Sequence, residues 1–242
     1  GDFETAIDLF TFYTHEWVRY AYSLLLQSFG GDLIDRDTYL TAEGKLNGEE
    51  ARAWGNWWQG LFKDGLANPK STDDQAFIQG RAALAYIGNW WYPNLHKAWG
   101  DDLVYMPPPN LGKGPKVGAG SWQWSITKAC PTPDGAWAFI DYMLKPDNIA
   151  KMSNATGLIP SRASAAAMTD LYKEGAPLAG ITAYPKAFAV IRPPTPAYGN
   201  ISAKFEEAAM GIANGANVED SLDDAAAAID ADIKANNGYG FQ

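Results

Sequence analysis

The sequence has a single cysteine, Cys130, and only two histidines, His15 and His96, in 242 residues. One cysteine cannot form an internal disulfide, and it cannot supply a zinc site built from a cluster of cysteines. Two histidines also argue against a site with several histidine ligands. We therefore expect neither a metal ion nor a cofactor.

Positive charge is scarce as well. Lys and Arg total 19 against 28 Asp and Glu, so the formal net charge is −9. Proteins that bind nucleic acid neutralise phosphates with dense Lys and Arg, so we expect no nucleic-acid partner. No run approaches the roughly 18 apolar residues of a membrane span. No signal peptide is visible, and the chain starts with Gly1 and not Met, so we expect a mature or truncated product.

Aromatic residues are abundant, with ten Trp and twelve Tyr. A tryptophan pair stands in "GNWWYPNL" (88–95), directly after the apolar run "AALAYIG" (82–88). Sugars offer apolar C–H faces on which a flat aromatic ring can stack, while polar side chains bind their hydroxyl groups. The pattern is thus compatible with a sugar site, although a tryptophan is also a common core residue.

The periodicity of the chain predicts a mixture of helices and short strands. Apolar residues at helical spacing predict a helix that begins at Thr14 and stops at Gly30, and another over 200–213. Asn47 with Glu50 resembles a capping box, and Asn217 is the expected N-cap of the last helix. The stretch "SWQWSITK" (121–128) alternates in polarity and predicts a strand. Many helices with scattered strands indicate an α/β chain of more than one lobe.

Four stretches, taken in order, resemble a known family. They are "LLLQSFGGDLID" (24–35), "EEARAWGNWWQGLFKDGLANP" with the following "DDQAFIQGRAALAYIGNWW", "GSWQWSITKACPTPDGAWAFIDYMLKPDNIAKMSNATGLIPSR", and "TPAYGNISAKFEEAAMGIANGANVEDSLDDAAAAIDADI". The chain is similar to the extracellular solute-binding proteins of bacterial ABC sugar importers, the maltose-binding-protein-like family 1. Each stretch alone is a weak signal, and their order and spacing make the resemblance specific.

The resemblance implies an α/β fold of the periplasmic-binding-protein type II kind, with two lobes. This chain would be the C-terminal portion. Residues 1–116 and 167–242 would form the second lobe, and residues 117–166 would cross into the first lobe. Most of the first lobe is absent from this chain, and it would be cleaved off, unresolved or carried by another chain.

The same resemblance implies a receptor that captures a sugar, such as an oligosaccharide or glycoside, between lobes that close about a hinge. The receptor would deliver the sugar to the transmembrane subunits of an ABC permease. Its location would be periplasmic or extracellular, with a lipid anchor on the outer face of the cytoplasmic membrane as one form. No catalytic residue is expected.

Ligand contacts are expected on both sides of the cleft. By the resemblance, and by the side-chain chemistry that suits sugars, the candidates are Glu16, Trp17, Trp90, Ser121, Trp122, Gln123, Arg162, Arg192 and Tyr198. Each also has a structural explanation. The tryptophans could belong to the core, Glu16 could be a charge favoured by a helix N-terminus, and Arg162 could form a salt bridge between the lobes.

Two other functions stay open at this level. The same fold could bind glycerol 3-phosphate or a polyol derivative if two of Arg19, Arg162 and Arg192 converge on a phosphate. A glycoside hydrolase would need two carboxylates about 5–10 Å apart across the scissile bond. No such pair stands out, because the acids lie mostly at caps and on exposed faces.

Overall fold

The structure is a computed structural model, and it describes residues 3–9, 18–71, 73, 75–120 and 122–240. The chain forms two compact units. Unit 1 comprises Gly1–Tyr86, Pro108–Ala119 and Phe188–Gln242, and unit 2 comprises Ile87–Pro107 and Gly120–Ala187. In the part of the chain that the structure describes, no helix is both long enough and apolar enough to cross a bilayer.

The regular elements are mostly helical. The strands are β1 (Thr5–Asp8), β2 (Ala82–Ala85), β3 (Val117–Ala119) and β4 (Ala189–Ile191). The helices are α1 (Ser23–Phe29), α2 (Glu49–Lys63), α3 (Tyr92–Trp99), α4 (Pro133–Met143), α5 (Pro146–Thr156), α6 (Ala163–Ala166), α7 (Tyr184–Phe188), α8 (Tyr198–Ala213) and α9 (Val218–Ala235). A π-helical turn, Val18–Tyr22, leads into α1, and a 3-10 turn, Asn89–Trp91, leads into α3.

Unit 1 contains two short parallel ladders. Strand β1 pairs with β2, with Ile7 opposite Leu84, and β3 pairs with β4, with Gly118 opposite Val190. Parallel pairing requires a long crossover connection, so each ladder joins segments that are distant in sequence. The β3–β4 ladder brings the segment around Gly118 beside the segment that leads to Arg192.

The core of unit 1 contains a cluster of aromatic residues. Trp54 and Trp58 are four residues apart on α2, so they share one face, and their rings stack with centroids 5.9 Å apart. Phe205 of α8 lies 5.4 Å from Trp54, and Tyr22 lies 5.1 Å from Trp58. The buried indole N–H of Trp58 donates to the carbonyl oxygen of Ala209 over 2.9 Å. Two of the tryptophans, Trp54 and Trp58, are therefore core residues.

Capping was predicted correctly at one helix and wrongly at another. The side chain of Asn217 accepts a hydrogen bond from the backbone N–H of Asp220 at 3.0 Å, which confirms it as the N-cap of α9. The capping box at Asn47 is wrong, because α2 begins after Gly48. Asn47 instead accepts a hydrogen bond from the backbone N–H of Gly44 and donates to Asp223.

Unit 2 has a much smaller core, formed by Tyr92, Tyr172, Leu178 and Ile181. The predicted strand over 121–128 is not seen, because residues 122–127 pair with no other segment that the structure describes. A strand is stabilised by a neighbouring strand, so the alternating pattern alone cannot form one. Trp124 of this segment packs edge-on against Phe139 of α4, with centroids 5.4 Å apart.

Candidate functional site

The indole ring of Trp90 packs against the backbone of Gly88, two residues earlier in the chain. The indole ring folds back over Gly88, where a β-carbon would collide with the six-membered part of the ring. Gly88 has an extended backbone that any residue can adopt, with φ −79° and ψ 148°, so the glycine is needed here for space. Trp90 is half-buried, and this packing restricts the orientations that its ring can take.

The end of α5 packs against the same turn of unit 2. Gly157 closes α5 with φ +72°, and a β-carbon on it would lie 3.0 Å from both the α-carbon and the carbonyl oxygen of Trp90. Asn89 donates from Nδ2 to the carbonyl oxygen of Gly157 over 2.9 Å and to the hydroxyl of Tyr172 over 2.8 Å. The Tyr172 hydroxyl donates to the same carbonyl oxygen of Gly157. Two hydrogen bonds therefore fix Asn89, the residue that precedes Trp90, and the third joins its two partners to each other.

The hydroxyl of Tyr172 stays protonated over the physiological range. Burial raises its pKa to about 12, although the hydrogen bond from Asn89 acts in the opposite direction. The neutral phenol is therefore available both to donate to Gly157 and to accept from Asn89. This hydrogen-bonded group supports the turn that carries Trp90.

A second cluster, in unit 1, forms around Arg192. The guanidinium carbon of Arg192 lies over the ring of Tyr20, 4.3 Å from its centre, and Arg192 lines the same small cavity as Tyr198. Burial raises the pKa of both tyrosines, and the charge of Arg192 partly offsets the rise in each. Both phenols are thus neutral at physiological pH, so neither compensates the positive charge of Arg192.

Tyr20 is itself placed by a glycine. A β-carbon on Gly118 of β3 would collide with the Tyr20 hydroxyl and the ring carbon that bears it. The backbone next to Arg192 is also fixed, because Arg36 donates from Nη1 to the carbonyl oxygen of Ile191 over 2.7 Å. The cluster is therefore built from the π-helical turn, the β3–β4 ladder and the start of α8.

A cavity of about 10 Å³ lies among these side chains, with Tyr20, Gln27, Arg36, Arg192 and Tyr198 in its lining. That volume holds about one water molecule, so no sugar ring fits inside it. Arg192 is exposed, which leaves its guanidinium accessible from solvent. The cavity therefore belongs to the packing around Arg192, and a ligand would meet the exposed side of this cluster.

The neighbouring arginines are already paired. Arg36 donates from Nε and Nη2 to the two carboxylate oxygens of Asp32, at 2.7 and 2.9 Å. Arg19 pairs with Glu206, which is only 5% exposed. Arg192 forms no ion pair with a carboxylate in the described ranges, so its charge is the one available in this cluster.

A larger surface groove of about 510 Å³ lies elsewhere in unit 1, along α2 and the start of α9. Its lining consists of Arg52, Asn56, Gln59, Gly215, Ala216, Asn217, Val218 and Glu219. The groove contains no aromatic ring on which a sugar could stack. Its arginine, Arg52, is also paired with Glu219 and Asp223. We do not regard it as the ligand site.

The structure describes some of the other candidate residues and not others. Glu16, Trp17 and Ser121, together with the predicted helix start at Thr14, lie outside the described residues. Trp122 is 91% exposed. Gln123 and Arg162 are exposed as well. Among the described candidates, Arg192 and Tyr198 line the same small cavity.

Sequence reasoning overlooked the residues that support the site. Tyr20 ends the stretch "HEWVRY" (15–20), and Gly118 begins "GAGSWQW" (118–124), yet neither pattern indicates that the two residues touch. Asn89 has the chemistry of a helix cap and precedes α3, but its side chain caps no helix and binds Gly157 and Tyr172. Glycine next to a bulky aromatic was the signal that could have pointed to close backbone approach.

A model of one protein family, described as bacterial extracellular solute-binding protein, matches residues 4–189. No curated protein matches the sequence. Among solved structures, an ABC transporter solute-binding protein from Thermotoga lettingae, bound with α-D-tagatose, superposes with a TM-score of 0.77 at 22% identity. That match covers 94% of this chain and 59% of the other.

Two maltose-binding structures match in a similar way. The maltose/maltodextrin-binding domain from Bdellovibrio bacteriovorus, bound to maltotriose, gives a TM-score of 0.76 at 17% identity over 96% of this chain and 61% of its own. The maltose-binding periplasmic protein from Listeria monocytogenes, in complex with maltose, gives 0.70 at 20% identity over 97% and 61%. These likenesses confirm the predicted α/β fold of two-lobed periplasmic sugar-binding proteins. The chain spans about three fifths of the length of each structure.

Proposed function

The chain belongs to the family of bacterial extracellular solute-binding proteins, and from this premise we propose that it is the sugar receptor of an ABC importer. The family consists of binding proteins of ABC transporters and not of enzymes, which sets aside the glycoside hydrolase alternative. The family also implies a periplasmic or extracellular location. The proposed ligand is an oligosaccharide or glycoside, captured in an interlobe cleft by hinge closure.

The observation that carries the proposal is the fixed indole of Trp90. A half-buried ring that is held by Gly88 and by the end of α5 is suited to stacking, because its orientation costs little further entropy when a sugar binds. Stacking removes apolar area of the sugar from water and leaves the hydroxyl groups free to bond. Trp90 is therefore the proposed principal platform.

The remaining contacts are proposed on the same chemistry. Arg192 and Tyr198 offer a cation and a phenol on a fixed part of unit 1, and both can bind sugar hydroxyls. Arg162 and Gln123 offer exposed polar groups in unit 2, and Trp122 offers an exposed ring. Glu16, Trp17 and Ser121 complete the proposed set on the strength of the family resemblance.

Charge favours a sugar over a phosphate ester. A phosphate carries more than one negative charge at pH 7 and calls for converging cations. Around the Arg192 cluster, Arg19 and Arg36 are paired with Glu206 and Asp32, and Arg192 is the one of these three arginines that pairs with no carboxylate among the described residues. The ligands named for the similar structures, tagatose, maltose and maltotriose, are neutral sugars. We therefore rank glycerol 3-phosphate second.

We further propose that the working receptor includes a portion that this chain does not span. Unit 2 has a small core and leaves many large apolar side chains exposed: Val104, Met106, Trp122, Trp124, Ile126, Trp137, Phe139, Tyr142, Met152 and Met168. Exposed apolar surface of this kind marks an interaction site. The similar structures are longer than this chain, and a first lobe of their kind would cover these side chains.

In this proposal, residues 1–116 and 167–242 belong to the second lobe and residues 117–166 cross into the first. Closure around the sugar would signal occupancy to the permease subunits. A lipid anchor on the outer face of the cytoplasmic membrane would keep the receptor near them. These three elements rest on the family and on the lengths of the similar structures.

Isothermal titration calorimetry tests the ligand class. The longest natural form of the protein is titrated with D-tagatose, maltose, maltotriose and glycerol 3-phosphate. Saturable binding of at least one sugar, with no heat from glycerol 3-phosphate, is the expected result. Binding of glycerol 3-phosphate with silence from every sugar would overturn the sugar proposal in favour of the alternative.

A further inference from the structure

We infer that Tyr20, packed against Gly118, is a positioning residue that presents the Arg192 guanidinium to the ligand. The inference rests on the proposed function and adds to it a residue outside the expected contacts. Three observations support it: the Tyr20 ring packs on Gly118, Arg192 packs on that ring, and no described carboxylate pairs with Arg192.

The ring of Tyr20 has little freedom. The residue lies in the π-helical turn Val18–Tyr22, in which Val18, Ala21 and Tyr22 are buried and Tyr20 is half-buried. The absence of a side chain at Gly118 lets the ring and its hydroxyl approach the β3 backbone. Any larger residue at 118 would displace the ring, so the β3–β4 ladder determines where it lies.

The Arg192 side chain packs on the Tyr20 ring, and the backbone beside it is fixed by a hydrogen bond. Its guanidinium carbon lies 4.3 Å from the centre of the Tyr20 ring, within the range of a cation–π interaction. Tyr198 lines the same small cavity, and Arg36 donates a hydrogen bond to the carbonyl oxygen of the preceding residue, Ile191. A free arginine loses side-chain entropy when a ligand orders it, and packing on the Tyr20 ring lowers that cost.

The held guanidinium also retains its charge and its hydrogen-bond donors. Tyr20 and Tyr198 are neutral, and no carboxylate in the described part of the chain pairs with Arg192. One exposed, oriented guanidinium suits a pair of sugar hydroxyl groups or a single carboxylate, since its donors form a planar fork. Tyr20 would therefore influence affinity without touching the ligand.

Affinity for maltotriose, measured by calorimetry, distinguishes an effect of Tyr20 through Arg192 from a general loss of structure. Tyr20→Phe keeps a ring beneath the guanidinium and should bind within about threefold of wild type, whereas Tyr20→Leu removes the ring and should bind about tenfold more weakly. In an Arg192→Gln background, Tyr20→Leu should add almost nothing, because the two residues act through one interaction. A full tenfold loss in that background would overturn the inference.

A ligand-free measurement keeps the inference testable if no sugar binds. Tyrosine labelled with ¹³C at Cζ reports each phenol's pKa by NMR titration, and Tyr20→Phe identifies the Tyr20 signal. Arg192→Gln should raise the pKa of Tyr20, because the lost cation had been lowering it. An unchanged pKa would refute the placement of Arg192. Failure of every sugar to bind would instead refute the proposed function.

Discussion

The side-chain amide of Asn89 donates to the carbonyl oxygen of Gly157 over 2.9 Å, which joins two residues that are 68 positions apart in unit 2. This hydrogen bond attaches the turn that carries Trp90 to the end of α5. The same carbonyl accepts from the hydroxyl of Tyr172. The proposed platform is therefore supported by groups that would not touch a sugar, and these groups can be altered without removing the ring.

Gly157→Ala should destabilise the protein more than Gly175→Ala. Both glycines have positive φ, +72° and +78°, so alanine is strained at either position by about 1 kcal/mol. Only at 157 would the new β-carbon also press on Trp90 and Pro93, at 3.0 and 3.1 Å, whereas nothing lies within 4 Å at 175. We expect a further loss of about 1 kcal/mol in the free energy of unfolding. Equal losses in urea denaturation would show that the contact with Trp90 is absent.

Gly88→Ala should move the Trp90 ring without straining the backbone. The near-ultraviolet circular dichroism of the tryptophans should change, and sugar affinity should fall by about tenfold if stacking is lost. Gly180→Ala is the matched control in unit 2, since a β-carbon there meets nothing within 4 Å. An unchanged spectrum in Gly88→Ala would contradict the packing of the indole on Gly88.

Tyr172→Phe should flatten the dependence of stability on pH in alkaline solution. The folded-state pKa of Tyr172, about 12, lies above the ordinary value of 10.0, so the folded state holds the proton more tightly. Its contribution is complete below pH 10 and is lost as the pH rises towards 12. Wild type should therefore lose more unfolding free energy between pH 10 and 12 than the variant. Parallel curves in chemical denaturation would contradict this assignment.

The exposed apolar side chains of unit 2 predict that the 242-residue chain binds the dye 8-anilinonaphthalene-1-sulfonate and self-associates. The double variant Trp124→Ser, Phe139→Ser should reduce both effects, because it removes one exposed aromatic pair. The longest natural form should bind less dye per molecule. A monodisperse chain with no dye fluorescence would contradict the proposal that further polypeptide covers this surface.

Sequence patterns predicted the elements that are determined locally. The cap at Asn217 depends on residues within one turn, and the helix predicted over 200–213 is found as α8 with a start two residues earlier. The α/β fold followed from the order of four stretches, none of which is specific alone. The predicted lobe boundaries and ligand contacts stay predictions.

The features that local patterns did not predict depend on residues that are distant in the sequence. Residues 122–127 alternate in polarity, but they find no strand to pair with in the part of the chain that is described. Asn47 has a capping residue's chemistry, yet Gly44 and Asp223 compete for its side chain. Tyr20 and Gly118 are about a hundred positions apart in the sequence, so no local pattern could reveal that the ring needs a glycine.

The central claim is that Trp90 is the platform on which a sugar stacks. Its most direct test is a tryptophan-fluorescence titration of the longest natural form with maltose, maltotriose and D-tagatose, in wild type, Trp90→Ala and Trp91→Ala. Circular dichroism must first show that both variants are folded.

We predict a saturable change in emission with at least one sugar, lost in Trp90→Ala and retained in Trp91→Ala. A saturable response that survives Trp90→Ala with unchanged affinity would contradict the claim.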